Sequence, residues 1–466
     1  MFDFGFDDNE DLTDFDRLQE LVDAYEQSAG DAYMDSDVLE DIATFYFENG
    51  RFDSALSVID RILGTQPFSS DVWMRRGVLL NNLARHEEAL HAYGRALDLN
   101  PTDTETLVNC AITLDTLDRP DEAVATYENA LELDGRNDEA LFNYGVTLER
   151  RQRLEEAVAA FEKCVEICPD HPEAWYELGF CHDRLGDDAR SVSCYDRHID
   201  IDPYSQDAWY NRGIVLNRMG EHASAVESYE FSIAINGEFA SAHYNCGNAL
   251  ANLGKLQPAI DCYIRVVEIE GGDAATYYNI GLAYEELRRY ESAVSYFQSA
   301  VDADPEYAEA WYGLGCSAEA LGRSGDALGS FRRATELDAR VPDFWYGRAD
   351  CEYNLGLIDD AIASYRALVD IDGRNREALL DYAETLFQAG RYQHALEAYR
   401  NVLDLQPDCA GAYVQQAKTL LALGRTDESL RSLKQAILID PAQRSELPAA
   451  CPDLVREQGI RKQLGL

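Results

Sequence analysis

The side chains with the clearest chemical use recur at one interval. Asn109, Asn143, Asn211, Asn245 and Asn279 fall on a 34-residue grid, and Tyr176, Tyr210, Tyr244, Tyr278, Tyr312 and Tyr346 occupy the position just before it. An Asn amide carries both a donor and an acceptor, so a row of them at constant spacing can satisfy the main chain of an extended peptide whatever its sequence. The Tyr rings add apolar area with a polar tip. The same residues could equally stabilise contacts between neighbouring helices. Glu177 interrupts the Asn row, and Glu173 and Asp207 head an acidic column that also holds Asp37, Asp71, Glu105, Glu139, Glu309, Asp343 and Glu377. That column sits where a carboxylate stabilises a helix N-terminus, and it favours a neutral or basic ligand over an acidic one.

Bond-making chemistry is not encoded in any motif of the chain. It holds no phosphate loop, no G-x-S-x-G and no H-E-x-x-H. Cys164, Cys168, His171, Cys181 and His182 are the densest group of metal-ligand types, with Cys164 and Cys168 one helical turn apart. They lack the C-x2-C knuckle of structural zinc sites and coincide with packing columns, so they read as core. We expect no catalytic residue, no metal, no cofactor and no enzyme activity.

The elements that must carry these residues follow from the same grid, which runs from Ser36 to Gln443 as twelve units without insertion, starting at 36, 70, 104, 138, 172, 206, 240, 274, 308, 342, 376 and 410. Position 8 is always small, including Gly145, Gly179, Gly213, Gly247, Gly281 and Gly315, as close approach of another helix requires. Position 20 is Ala in all units but two, where it is Ser191 and Ser429, and position 24 is mostly Tyr or Phe. Positions 4, 7, 8 and 11 share one helical face and 20, 24 and 27 share another, so each unit predicts two amphipathic antiparallel helices. Gly at position 15, as in Gly50 and Gly186, ends the first helix, and Pro or Gly at position 32, as in Pro67 and Gly135, ends the second.

The pattern resembles the tetratricopeptide repeat family. Its W-x2-L-G-x2-Y, A-x3-F and P signature is matched best by Trp175, Leu178, Gly179, Ser191, Tyr195 and Pro203, and by Trp311, Leu314, Gly315, Ala327 and Phe331. The resemblance implies an all-α fold: a right-handed superhelical α-solenoid of about twelve helix-turn-helix repeats over 36–443. Capping helices are expected over 12–35 and 444–466, after an acidic, Phe-rich tail at 1–11 that reads as disordered. It also implies that first helices line a concave groove, with positions 2, 5, 6, 9, 12 and 13 facing in. The Asn row is similar to the one lining the superhelical arm of the family's sugar-transferring members. The Lys and Arg clamp of its chaperone-binding members is not matched, because position 2 is acidic and position 5 is Tyr here. The implied function is a non-enzymatic scaffold whose groove binds a protein or peptide segment. The alternatives are a homo-oligomer built through end caps or the Phe-rich tail, and a substrate-presenting arm for a separately encoded enzyme.

Composition narrows the partners. A formal charge of -46 argues against nucleic acid, which demands clustered Lys and Arg, and only five residues are Lys. Acid-rich, Lys-poor usage suits a chain bathed in high salt, and equally a soluble acidic solenoid. The eleven Cys are scattered among separate units, which predicts free thiols in a reducing compartment. The start Met1-Phe2-Asp3-Phe4 is no secretory signal, and no stretch is long and apolar enough for membrane insertion, so a cytoplasmic location is expected.

Overall fold

The computed structural model describes residues 11–27, 34–443 and 464. The Phe-rich tail and the carboxy-terminal cap, apart from Leu464, lie outside the described residues. Among the described residues every regular element is a helix.

The chain divides after Ile235 into two compact units. The first unit comprises α1 (Asp11–Gln27), α2 (Ser36–Glu48), α3 (Phe52–Thr65), α4 (Ser70–Asn82), α5 (His86–Leu99), α6 (Thr104–Thr116), α7 (Pro120–Leu133), α8 (Asp138–Arg150), α9 (Leu154–Ile167), α10 (Pro172–Leu185), α11 (Asp188–Ile201), α12 (Gln206–Arg218) and α13 (His222–Ile235). The second comprises α14 (Ala240–Asn252), α15 (Leu256–Glu270), α16 (Ala274–Glu286), α17 (Tyr290–Ala303), α18 (Ala308–Ala320), α19 (Ser324–Leu337), α20 (Pro342–Asn354), α21 (Ile358–Ile371), α22 (Arg376–Gln388), α23 (Tyr392–Leu405), α24 (Ala410–Ala422) and α25 (Thr426–Ile439). Even-numbered helices are the first helices of each pair and odd-numbered ones the second. Within each unit a helix packs on its neighbours in the chain, and successive first helices also touch, as α8 touches α10 and α16 touches α18. This is an α-solenoid arrangement, in which the core is a ribbon and not one centre.

Three columns of side chains explain the pairing. The position-20 Ala residues are fully buried, and at the two exceptions the hydroxyl reaches back: Ser191 Oγ donates to Gly179 O at 2.9 Å and Ser429 Oγ to Ala417 O at 2.8 Å. The glycines at position 8 make room for a neighbouring helix, as the sequence suggested: what approaches is the aromatic ring at position 24 on the second helix of the same pair. A Cβ built on Gly145 would stand 2.6 Å from the Phe161 ring, and one on Gly213 would stand 2.6 Å from Tyr229. The position-4 indoles tie consecutive pairs together. Trp175 Nε1 donates to Pro169 O at 2.8 Å and Trp311 Nε1 to Pro305 O at 3.0 Å, and His243 Nε2 meets Gly237 O at 3.1 Å in the same way.

Position 15 is left-handed throughout. Eight Gly take it with positive φ, and Ala84, Asp118, Gln152 and Arg288 are held there at φ 56, 57, 59 and 57°. The hydrogen bonds of the turn therefore impose the conformation even where a side chain opposes it. Helix α1 packs on α2, with Val22 buried in the same apolar cluster as Leu39, Ile42 and Ile59. Val22 is buried and the adjacent Leu21 half-buried. Glu26 accepts from Tyr46 Oη at 3.0 Å and from Arg51 Nη2 at 2.8 Å.

Candidate functional site: the face of the first helices

The Tyr column lies with its rings against the core. Tyr176 meets Tyr195 at 5.8 Å between ring centroids, Tyr210 meets Tyr229 at 6.0 Å and Tyr244 meets Tyr263 at 5.8 Å. Tyr278 meets Phe297 at 5.7 Å, Tyr312 meets Phe331 at 5.7 Å and Tyr346 meets Tyr365 at 6.3 Å. All six are half-buried. Each ring thus packs on the position-24 aromatic, edge-on at Tyr176 and Tyr346 and tilted at the other four.

The Asn column is wired to the Tyr column. Asn211 Nδ2 donates to Tyr176 Oη at 2.9 Å in the first unit, and Asn279 Nδ2 donates to Tyr244 Oη at 2.9 Å in the second. Tyr346 Oη makes the equivalent step to Asp381 Oδ2 at 2.7 Å. Asn143 Nδ2 instead donates within its own helix to Glu139 O at 2.9 Å, while Asn109 and Asn245 are half-buried on the same face. Asn211 and Asn279 therefore join neighbouring first helices. An amide has two N–H groups and one carbonyl oxygen, so this bond takes one of its donors. Glu173 and Asp207 are exposed in the first turns of α10 and α12.

A second pair of columns escaped the sequence reading. Asp115 is approached by Arg150 Nη1 at 3.4 Å and accepts from Thr147 Oγ1 at 3.0 Å, while Arg218 reaches both Asp183 and Asp188 at 2.5 Å. Between them, Arg184 Nη2 donates to Gln152 Oε1 at 3.0 Å. The signal was present as an acid at position 12 followed by Arg at position 13 of the next unit. It has meaning only once adjacent first helices are known to touch.

Glu149, at position 12, and Glu177, at position 6 in the Asn row, act on each other. Burial pushes Glu177 up to about 7, and the charge of Glu149 and a hydrogen bond with it add to the shift. Burial also raises Glu149, against the opposing charges of Arg150 and Arg184. The two carboxyls therefore act on each other as well as being raised by burial. In the second unit, burial raises Glu285, Glu319 and Asp350 on the corresponding face.

The Cys and His residues play another part. Cys164 and Cys181 are buried, and burial pushes both thiols up to about 12, away from the thiolate that a metal or a nucleophile needs. His171 Nδ1 accepts from Ala174 N at 3.3 Å as a helix cap, and its ring packs on Phe142 at 4.8 Å. All ten described Cys are free.

Against known proteins, the tetratricopeptide repeat profiles match residues 70–103, 111–172, 160–192, 206–239, 240–273, 278–334 and 312–378. The chain belongs to the tetratricopeptide repeat family. A profile described as anaphase-promoting complex, cyclosome, subunit 3 matches residues 354–436 of this repeat protein. No curated protein matches the chain. Among solved structures, MamA is 28% identical over 34% of this chain and 94% of its own, with a TM-score of 0.34. YrrB, described as a TPR protein with an unusual peptide-binding site, is 22% identical over 39% of this chain and 93% of its own, with a TM-score of 0.37. The APC/C hetero-tetramer Cut9-Hcn1 is 15% identical over 88% of this chain and 95% of its own, with a TM-score of 0.38. Among the described residues of this repeat protein, no helix is long and apolar enough to cross a membrane.

Proposed function

We propose that this protein is a non-enzymatic interaction scaffold that holds an extended or helical segment of a neutral or basic partner along the first-helix face. Family membership supports the general role, since stacked helix pairs present long continuous surfaces. The observation that carries the specific reading is chemical: this face combines fixed Tyr hydroxyls and Asn amides with half-buried carboxyls. Tyr176, Asn211, Tyr244 and Asn279 are pre-oriented by their mutual bonds, so they offer polar groups to a main chain with little side-chain entropy left to lose. The acids Glu173 and Asp207 at the rim would draw a basic segment in and repel an acidic one.

The test uses the partner recovered on the immobilised full chain from the native source. Replacing Asn211, Asn245 and Asn279 together by Ala should weaken its binding about tenfold or more, by loss of hydrogen bonds worth about 1 kcal/mol each, with circular dichroism unchanged. Unchanged affinity in a folded variant contradicts the role of the Asn row.

A further inference from the structure

Trp311 is set apart from the other indoles of the chain. Of the five Trp, Trp73, Trp175, Trp209 and Trp345 each carry an Arg guanidinium over the ring, 5.2–5.8 Å from its centroid. That Arg stands at position 7 of the same helix or at position 26 of the paired one. In the Trp311 repeat position 7 is Leu314, and Arg333 at position 26 is paired with Glu336 at 3.2 Å. Trp311 instead lines a cavity of about 420 Å³ between α17 and α19, whose apolar walls also include Val294, Leu314 and Ala318.

Two glycines keep this cavity open. Positions 18 and 22 carry a side chain in every other unit, but in α19 they are Gly325 and Gly329, one turn apart and both lining the cavity. A Cβ on either would meet nothing within 4 Å and neither has a positive φ, so packing does not demand a residue that weakens a helix. Two charges at the same place are uncommitted. At the start of α5, α7, α9 and α25 the Arg at position 16 clasps the Glu at position 19 at 2.6–2.7 Å. In α19 these positions hold Arg323 and Asp326, an acid one methylene shorter, and among the described residues neither side chain has an ion pair or a hydrogen bond. The other polar groups of the lining are engaged: Gln298 Nε2 donates to Asp302 Oδ1 at 2.8 Å and Ser330 Oγ to Asp326 O at 3.2 Å.

We infer that this cavity is a binding site for a free α-amino acid with a large apolar side chain. The Trp311 indole and the aliphatic walls take the side chain, Arg323 takes the carboxylate and Asp326 takes the ammonium. A ligand with a single charge would leave one of the two groups facing a like charge, whereas a zwitterion satisfies both and brings no net charge. Apolar walls with a few polar groups, in a volume of about 300–1,000 Å³, are the usual make-up of a small-molecule site. The inference is independent of the groove reading above, because no residue of the lining belongs to the Tyr and Asn columns.

The test titrates the full chain by calorimetry with L-phenylalanine, with 3-phenylpropionate, which lacks the ammonium, with 2-phenylethylamine, which lacks the carboxylate, and with glycine, which lacks the ring. Phenylalanine should bind one site per chain with a Kd of about 1 mM or tighter. Each single-charge analogue should bind about tenfold more weakly, and glycine should not bind. Gly329→Leu, whose side chain enters the open space, should abolish binding with circular dichroism unchanged. Arg323→Gln should weaken phenylalanine about tenfold and leave 2-phenylethylamine as it was, and this exposed change decides the matter should Gly329→Leu fail to fold. Gly94→Leu, at an exposed glycine of α5 whose Cβ would also meet nothing within 4 Å, should leave binding intact. No binding of phenylalanine at about 10 mM, an analogue or glycine binding as well as phenylalanine, or binding that survives unchanged in folded Gly329→Leu or in Arg323→Gln would overturn the inference.

Discussion

At the scale of single residues, the packing columns and the functional columns differ in how they were legible. The Gly and aromatic columns announced close packing, and the structure supplied the partner: the Gly145 backbone lies against the Phe161 ring. Gly145→Val should cost about 1–3 kcal/mol as overpacking, read as a lower urea midpoint for the first unit. The Asn and Tyr columns were also visible, but their wiring was not. The Tyr176 to Asn211 bond depends on the offset between two packed helices, which a sequence period does not contain. The Glu149–Glu177 pair was hidden for the same reason, and Glu177 read only as a gap in the Asn row. Its consequence for stability has a definite sign. Glu177 is raised from 4.5 to about 7 in the folded chain, so the native state holds more protons than the unfolded state between those values. Stability from this group is lost as pH rises from 4.5 to about 7. Glu177→Gln should therefore raise the thermal midpoint at pH ~8 and flatten its fall between pH ~5 and ~8, as followed by circular dichroism. A variant less stable than the parent at pH ~8 would contradict the raised titration of Glu177.

At the scale of elements, helix boundaries were readable because the chain punctuates them. Gly at position 15 and Pro at position 32 mark the two ends, and the turn keeps its left-handed geometry at Ala84 and Arg288, where no Gly signals it. What could not be read was a polar core. Position 11 is Leu in most repeats, but in α20 it is Glu352, 0% exposed, accepting from Arg348 Nε at 3.0 Å and from Ser364 Oγ of α21 at 2.6 Å. A buried acid with these partners ties α20 to α21 by direction as well as by area. Removing one member strands the others, so Glu352→Ala should destabilise the second unit by about 3–5 kcal/mol. Hydrogen exchange should accelerate in α20 and α21 before it does in α1 to α13. Uniform acceleration along the chain would argue against a local network.

At the scale of the whole molecule, charge is the dominant property. Eighty-six Asp and Glu face 40 Lys and Arg, and most of the described ion pairs are exposed at one or both partners and so worth little singly. Net repulsion should then be the larger electrostatic effect, and screening should relieve it. The thermal midpoint should rise as potassium chloride increases from about 0.05 to about 1 M, while a fall would mean that the exposed pairs outweigh the repulsion. The same abundance of carboxylates provides a direct probe of the functional claim. Carboxyl footprinting by carbodiimide-coupled labelling and mass spectrometry reports the accessibility of each Asp and Glu in the full chain, alone and with its recovered partner. We predict protection at Glu149, Glu173, Glu177 and Asp207 on the first helices, with Glu155, Glu166 and Asp200 on the second helices labelled as before. Protection confined to the second helices would contradict the assignment of the binding face.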